Sequence, residues 1–228
     1  MAKGAKKGGR VRDKWRDKQW VVISKPSGFE PPGPVNYIPI SNVEQAKGRV
    51  IENTMYDIMQ QDPAQHQIKV FIQIDKITDG SASTVFKGHE YAKEFLRGLI
   101  RRGSSMITFT NDYTTIDGHT FRVALIAFTQ RRVNTSKKHE IRMVAHKILS
   151  ERIPQLTVDQ FVQEVTGSKG EDIPRETNSK LGADVLEEAR KIAVIRHLGI
   201  RKTKLISTAE TRAVEEAKPV ETAQPASQ

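Results

Sequence analysis

Between Gln67 and Ile77 the sequence QIKVFIQIDKI sets Ile68, Val70, Ile72 and Ile74 at alternate positions. That is the period of a strand with one buried face. Asp79-Gly80 follows as a turn, and Ser83–Phe86 returns as the second strand of a hairpin. Upstream, Trp20–Ser24 reads as a short strand, and Gly48–Ile58 begins with strand-like alternation. Between them, Pro26–Pro39 holds five prolines and two glycines, which predicts an extended or turning connection without regular pairing. From His89 to Arg102 the period changes. Tyr91, Phe95, Leu99 and Arg102 fall on one helical face, predicting an amphipathic helix closed by Gly103. Met106–Thr115 and Phe121–Thr129 read as two strands around the Asp117-Gly118 turn. Ala124–Phe128 is apolar on both faces, which places the second of these strands centrally.

From Ser136 the pattern is helical, with a stripe of Ile141, Val144, Ala145, Ile148 and Leu149 ended by Pro154. Two further helices are predicted, over Thr157–Val165 and Asn178–Ile192, and His197–Ile206 alternates again as a late strand. The fold class is therefore α+β: a mainly antiparallel sheet or β-barrel-like core with a C-terminal helical region. The chain divides into a disordered basic arm (1–18), one folded domain (19–207) and a disordered acidic tail (208–228). Within the domain, 19–130 is mostly β, 136–192 mostly helical, and 197–206 the late strand.

Charge changes the picture from fold to partner. The net charge is +10. Residues 1–20 hold eight Lys and Arg against two Asp, whereas residues 207–228 hold two basic residues against four Glu. A chain this cationic is drawn to phosphate polymers or anionic membranes. The arm lacks the apolar face that membrane binding would need, and it has no apolar stretch of the kind found in a secretory signal. Nucleic acid is the partner that remains. Aromatic residues make up only 6% of the chain, which argues against a dense base-stacking surface and for contacts to phosphate and sugar. The candidate RNA-binding residues are Lys3, Lys6, Lys7, Arg10, Arg12, Lys14, Arg16 and Lys18 in the arm. Arg101 and Arg102, with Arg97, form a group on the predicted helix. Arg131, Arg132, Lys137, Lys138, Arg142 and Lys147 leave a buried strand and follow a helix. Arg201, Lys202 and Lys204, with Arg196, lie near the last strand.

Catalytic and metal chemistry finds little support. The absence of cysteine excludes disulfides, thiolate zinc sites and a cysteine nucleophile. His139 and His146 stand seven apart, two turns along one helix face, which is too far for one zinc ion; they read as polar residues on an RNA-facing helix. The phosphate-loop, dinucleotide and nucleophile-elbow patterns do not occur. A nuclease using Asp112 and Asp117 with a divalent ion is the enzymatic rival. A free RNA-binding regulator or chaperone is the other.

Lys47–Gln60, KGRVIENTMYDIMQ, resembles the signature of the archaeal and eukaryotic small-subunit ribosomal family S-three-Ae, also called S-one-e. Gly48, Arg49, Val50, Glu52 and Asp57 match its pattern, and Ala46, Thr54, Met55 and Ile58 depart mildly. Phe121–Arg142, FRVALIAFTQRRVNTSKKHEIR, is similar to the family's apolar strand running into a basic helix. The likeness spans about Lys14–Ser207, is weaker from Gly182 to His197 and in the acidic tail, and looks archaeal more than eukaryotic. It implies a cytoplasmic constituent of the small-subunit platform near the mRNA exit. Such a protein would hold small-subunit rRNA and neighbouring ribosomal proteins, close to mRNA, with no catalytic residues, no cofactor and no membrane.

Overall fold

The computed structural model describes residues 13, 15–167, 174 and 176–208. Lys3, Lys6, Lys7, Arg10, Arg12 and Lys14 therefore lie outside the described residues, as does the acidic tail beyond 208. The elements run β1 (Gln19–Ser24), β2 (Pro34–Ile40), α1 (Val43–Ala46), β3 (Val50–Thr54), α2 (Met55–Met59), β4 (Ile68–Thr78), β5 (Ser81–Tyr91) and α3 (Lys93–Leu99). They continue with β6 (Met106–Thr114), β7 (Thr120–Thr129), α4 (Thr135–Arg152), α5 (Val158–Thr166), α6 (Lys180–Arg190) and β8 (Ile195–Ser207).

The eight strands among the described residues join one open sheet, ordered β2-β1-β5-β8-β7-β6, with β4 branching from β5 and β3 pairing with β4. Every pairing is antiparallel except β1 with β5. The β4–β5 hairpin follows its alternation: Ile68, Val70, Ile72 and Ile74 are all buried. Asp79 and Gly80 both take positive φ (49° and 78°), as a two-residue turn of this hand requires. β7 lies between β6 and β8, as its apolar sequence predicts for a central strand, and its Leu125–Thr129 end is buried on both faces.

Two predicted elements take another form. Pro34–Ile40 is a paired strand rather than an irregular connection, in register with β1 from Gln19↔Ile40 to Ser24↔Pro34. Among the described residues β2 is an edge strand with β1 as its one neighbour, so Pro34 and Pro39 can sit where a missing N–H costs no ladder bond. The helix predicted from His89 begins only at Lys93, because β5 continues to Tyr91 and α3 ends at Leu99. Residues 88–91 are held extended by β4 on one side and β8 on the other (Ile68↔Tyr91, His89↔Thr203), pairings that outweigh local period. The four-residue spacing still brings Tyr91 against Phe95, rings edge-on at 5.5 Å.

The main core lies between the sheet and the last three helices. Ile141, Ala145 and Leu149 of α4, Phe161, Val162 and Val165 of α5, and Leu181, Val185 and Ala189 of α6 pack with Phe121, Val123, Leu125 and Phe128 of β7. A second cluster, including Val21, Ile23, Ile38, Ile40, Ile74 and Ala82, covers the inner face of β1 and β2. No helix among the described residues is long and apolar enough to cross a membrane.

Caps fix where the helices start. Thr157 accepts from the Gln160 amide, and the Gln160 side chain accepts from the Thr157 N–H, a capping box at α5. Asp117 Oδ2 accepts the next amide, Val158 N–H, at 2.6 Å and so ties the β6–β7 turn to the same helix end. Thr157→Ala is expected to destabilise the fold by about 1 kcal/mol, measured by urea denaturation. An unchanged midpoint would show that Asp117 alone suffices as the cap.

Candidate nucleic-acid interface

The candidate surface forms where β7 leaves the sheet. Thr129, fully buried, donates from Oγ1 to the Arg131 carbonyl at 2.7 Å, and Ser105 N–H donates to the same hydroxyl at 3.0 Å. Ser105 Oγ in turn accepts Val133 N–H at 3.1 Å, and Gln130 N–H reaches the Val194 carbonyl at 2.9 Å. These bonds pin the backbone of 129–133, so the two arginines project from a fixed loop.

That loop forms one wall of a cleft of about 510 Å³ lined by Gln130, Arg131, Arg132, Asn134, Lys137 and Val194. A second cleft of about 430 Å³ shares Gln130 and adds Arg101, Arg102 and Arg196. Arg101 and Arg102 do not ride on a helix as predicted. They follow the end of α3 in a turn where Ser104 donates from both N–H and Oγ to the Arg101 carbonyl. Gly103, at φ +76°, then swings the chain into β6. The two clefts join clusters that stand about thirty residues apart in the sequence.

Three features make this groove attractive to anions. Arg101, Arg102, Arg131, Arg132 and Lys137 are exposed, and among the described residues none pairs with a carboxylate. Among the described residues the one acid in the lining, Glu176, is engaged by Arg190 at 3.0 Å. Arg196 is half-buried and donates to the Leu99 carbonyl; burial, and then the charge of Arg101, push its guanidinium below the usual range. Like charges held close favour an incoming phosphate. The N-terminus of α4 also opens here, with no acid in its first turn. Its free N–H groups and dipole add positive potential.

The other sequence-predicted residues go elsewhere. Arg142 is half-buried and donates from Nε to the Thr108 carbonyl at 3.0 Å, so it braces α4 on β6. Lys138 is half-buried and Lys147 is exposed further along α4. Arg201, Lys202 and Lys204 sit on the exposed side of β8, around buried Thr203 and Leu205, and do not enter the groove. Lys202 is paired with Glu90 at 2.9 Å. Arg16 and Lys18 stand in the turn before β1, where Lys18 Nζ lies 3.7 Å from the centre of the Trp15 ring. Sequence clustering placed Arg196 with these β8 residues; the groove separates it from them.

The histidine pair also divides. His139 is exposed, but His146 points inward, against Phe109 and Tyr113 and within 3.2 Å of Ser150 Oγ. It belongs to the α4–β6 packing and not to an RNA-facing surface. The carboxylates of the enzymatic rival are occupied as well. Arg122 donates to both oxygens of Asp112 (2.7 and 2.8 Å), and that hydrogen bond holds the carboxyl below the ordinary range. Asp117 is the helix cap already described. Among the described residues, no group of three or more His, Asp or Glu is placed to hold a metal ion.

The sequence is similar to known proteins along most of its length. The profile of the Ribosomal S3Ae family matches residues 6–209. A protein named small ribosomal subunit protein eS1 from Desulfurococcus amylolyticus is 38% identical over 198 residues, 86% of each chain. Its namesake from Methanopyrus kandleri is 36% identical, covering 86% of this chain and 89% of the relative. The one from Sulfurisphaera tokodaii is 33% identical over 86% and 95%. The chain belongs to the Ribosomal S3Ae family, whose members are structural, non-enzymatic ribosomal components.

Proposed function

We propose that this chain is a structural constituent of the small ribosomal subunit in the cytoplasm. In this reading it docks on small-subunit rRNA through the Arg101–Arg102–Arg131–Arg132–Lys137 groove and sits on the platform near the mRNA exit, beside neighbouring ribosomal proteins. The observation that carries the groove assignment is the convergence on two clefts that share Gln130 of a helix N-terminus and five exposed cations that pair with no carboxylate among the described residues. Phosphates neutralise the cations and release counterions, while the pinned 129–133 loop sets the register. The basic arm, from Lys3 to Lys18, adds phosphate contacts along the RNA.

Two measurements test this reading. In sucrose gradients of native lysate, the protein is expected to migrate stoichiometrically with small subunits and to stay there in high salt. A peak at the top of the gradient would favour the free RNA-binding regulator. In binding to a small-subunit rRNA fragment, Arg101→Ala/Arg131→Ala/Arg132→Ala is expected to weaken affinity about tenfold or somewhat more. It should also flatten the salt dependence by roughly 0.7–0.9 in log–log slope per lost phosphate contact. An unchanged slope would remove the groove from the interface.

A further inference from the structure

The chain has fourteen aromatic residues, two Trp, four Tyr and eight Phe. Those that stand exposed among the described residues are Trp15 (60%), Trp20 (64%) and Tyr37 (58%). All three lie on β1, on β2 or in the turn that leads into them. In the β1–β2 ladder Trp20 faces Pro39 and Val22 faces Tyr37. Trp20 and Tyr37 are therefore diagonal neighbours on one face, about 7 Å apart at their Cβ atoms. The inner face of the same two strands is filled by Val21, Ile23, Ile38 and Ile40, so the outward rings do not serve the core. None of the three rings packs against another aromatic ring among the described residues.

We infer that the outer face of β1–β2 is a stacking platform for unpaired RNA bases, with Trp20 and Tyr37 as its rings. Charge identifies the occupant. The segment KWRDKQW (Lys14–Trp20) interleaves cations with tryptophans, and Lys18 sits over the Trp15 ring. Exposed rings among cations are the chemistry by which proteins hold single strands: bases stack on the rings while the backbone tracks the charge. The low aromatic content of the chain excludes a dense stacking surface, but not a local one made of its few exposed rings. The platform is separate from the groove. β5 meets β1 at Ser81–Ala82 and the Lys202–Lys204 part of β8 at Gly88–Glu90, and the groove lies at the other end of β8, at Ile195 and Arg196. One body can thus hold structured RNA at one end and an unpaired segment at the other.

The inference rests on the RNA-binding reading, and the experiment separates the two. The full chain is titrated with a short single-stranded oligoadenylate while tryptophan emission is followed; both tryptophans lie in the Lys14–Trp20 segment. Stacking is expected to quench the emission. Trp20→Ala and Tyr37→Ala are each expected to weaken binding by roughly tenfold, and Trp20→Tyr to restore most of it. Affinity for the structured rRNA fragment should be unmoved by Trp20→Ala and reduced by the groove substitutions. Wild-type oligoadenylate affinity in both alanine variants, with the groove effect intact, would overturn the platform and leave the RNA-binding reading standing. Failure of both sets would remove both. Ultraviolet irradiation of intact small subunits gives a second readout that needs no variant. A nucleotide adduct on the peptide carrying Trp20 supports the platform, and a cross-link from it to a neighbouring protein instead overturns it.

Discussion

Acidification from pH 6.5 to 4 is expected to cost the fold roughly 3 kcal/mol at each of two buried histidines, His89 and His197. Both are pushed down to about 4, chiefly by burial. At His89 the neutral ring is fully satisfied. Its Nε2–H donates to the Ile200 carbonyl at 3.0 Å, and Nδ1 accepts from Thr203 Oγ1 at 2.7 Å. That hydroxyl also accepts the His89 N–H at 3.1 Å. A proton on Nδ1 would leave the threonine hydroxyl without its acceptor. At His197 the ring packs against both Tyr91 and Phe95, with no hydrogen-bond partner at Nε2 among the described residues, and the charge of Arg196 adds to the effect of burial.

In the unfolded chain a histidine titrates near 6.5. Between about 6.5 and 4 the unfolded state therefore binds more protons than the folded one. Stability is complete above that window and falls as pH drops through it. Urea denaturation at pH 7, 6, 5 and 4.5 should show the decline. His197→Phe, which suits the aromatic surroundings, should remove about half of it. A stability that stays level between pH 7 and 4.5 would mean that these rings are hydrated in solution.

Gly88→Ala is expected to destabilise the protein by about 3–5 kcal/mol. Gly88 sits at φ +153°, beside the register shift in β5 where Ile72 pairs with Phe86 and Phe71 with Gly88. A Cβ there would stand 2.1 Å from the Thr203 carbonyl oxygen and 2.9 Å from its carbon, both backbone atoms of β8. Neither strand can yield without loosening Gly88↔Lys204 and His89↔Thr203. The cost combines backbone strain with a lost ladder. Gly33→Ala, where nothing lies within 4 Å of an added Cβ, is the control and should change little. Equal urea midpoints for the two variants would refute the close approach of β5 and β8.

These sites show what the sequence could and could not tell. Short-range signals were sufficient for the β4–β5 and β6–β7 hairpins, for the 3.6-residue stripes of α4, α5 and α6, and for β8 as a late strand. Strand residues His89 and Glu90 looked helical because the β8 partners that hold them extended lie more than a hundred residues further on. β2 was hidden by prolines that only an edge position accommodates. For the groove, residue type and clustering marked Arg101, Arg102, Arg131, Arg132 and Lys137. Which side a cation faces depends on strand register. The bulge at Ala124/Leu125 turns Arg201 outward with Lys202 and Lys204, while Arg196, at the start of the same strand, enters the groove. The exposed rings on β1 and β2 were likewise invisible in a composition that averages them with twelve others.

The position of β8 bears on how the chain is made. It is the last strand in chain order among the described residues, yet it occupies the slot between β5 and β7. A nascent chain that has emerged only as far as α6 holds two strand edges that must wait for Ile195–Ser207. Such unpaired edges invite wrong partners, and joining them over so long a separation is slow. Premature termination anywhere before Ile195 thus yields two half-sheets with no means of closing, and quality control should find such fragments aggregated or degraded rather than assembled.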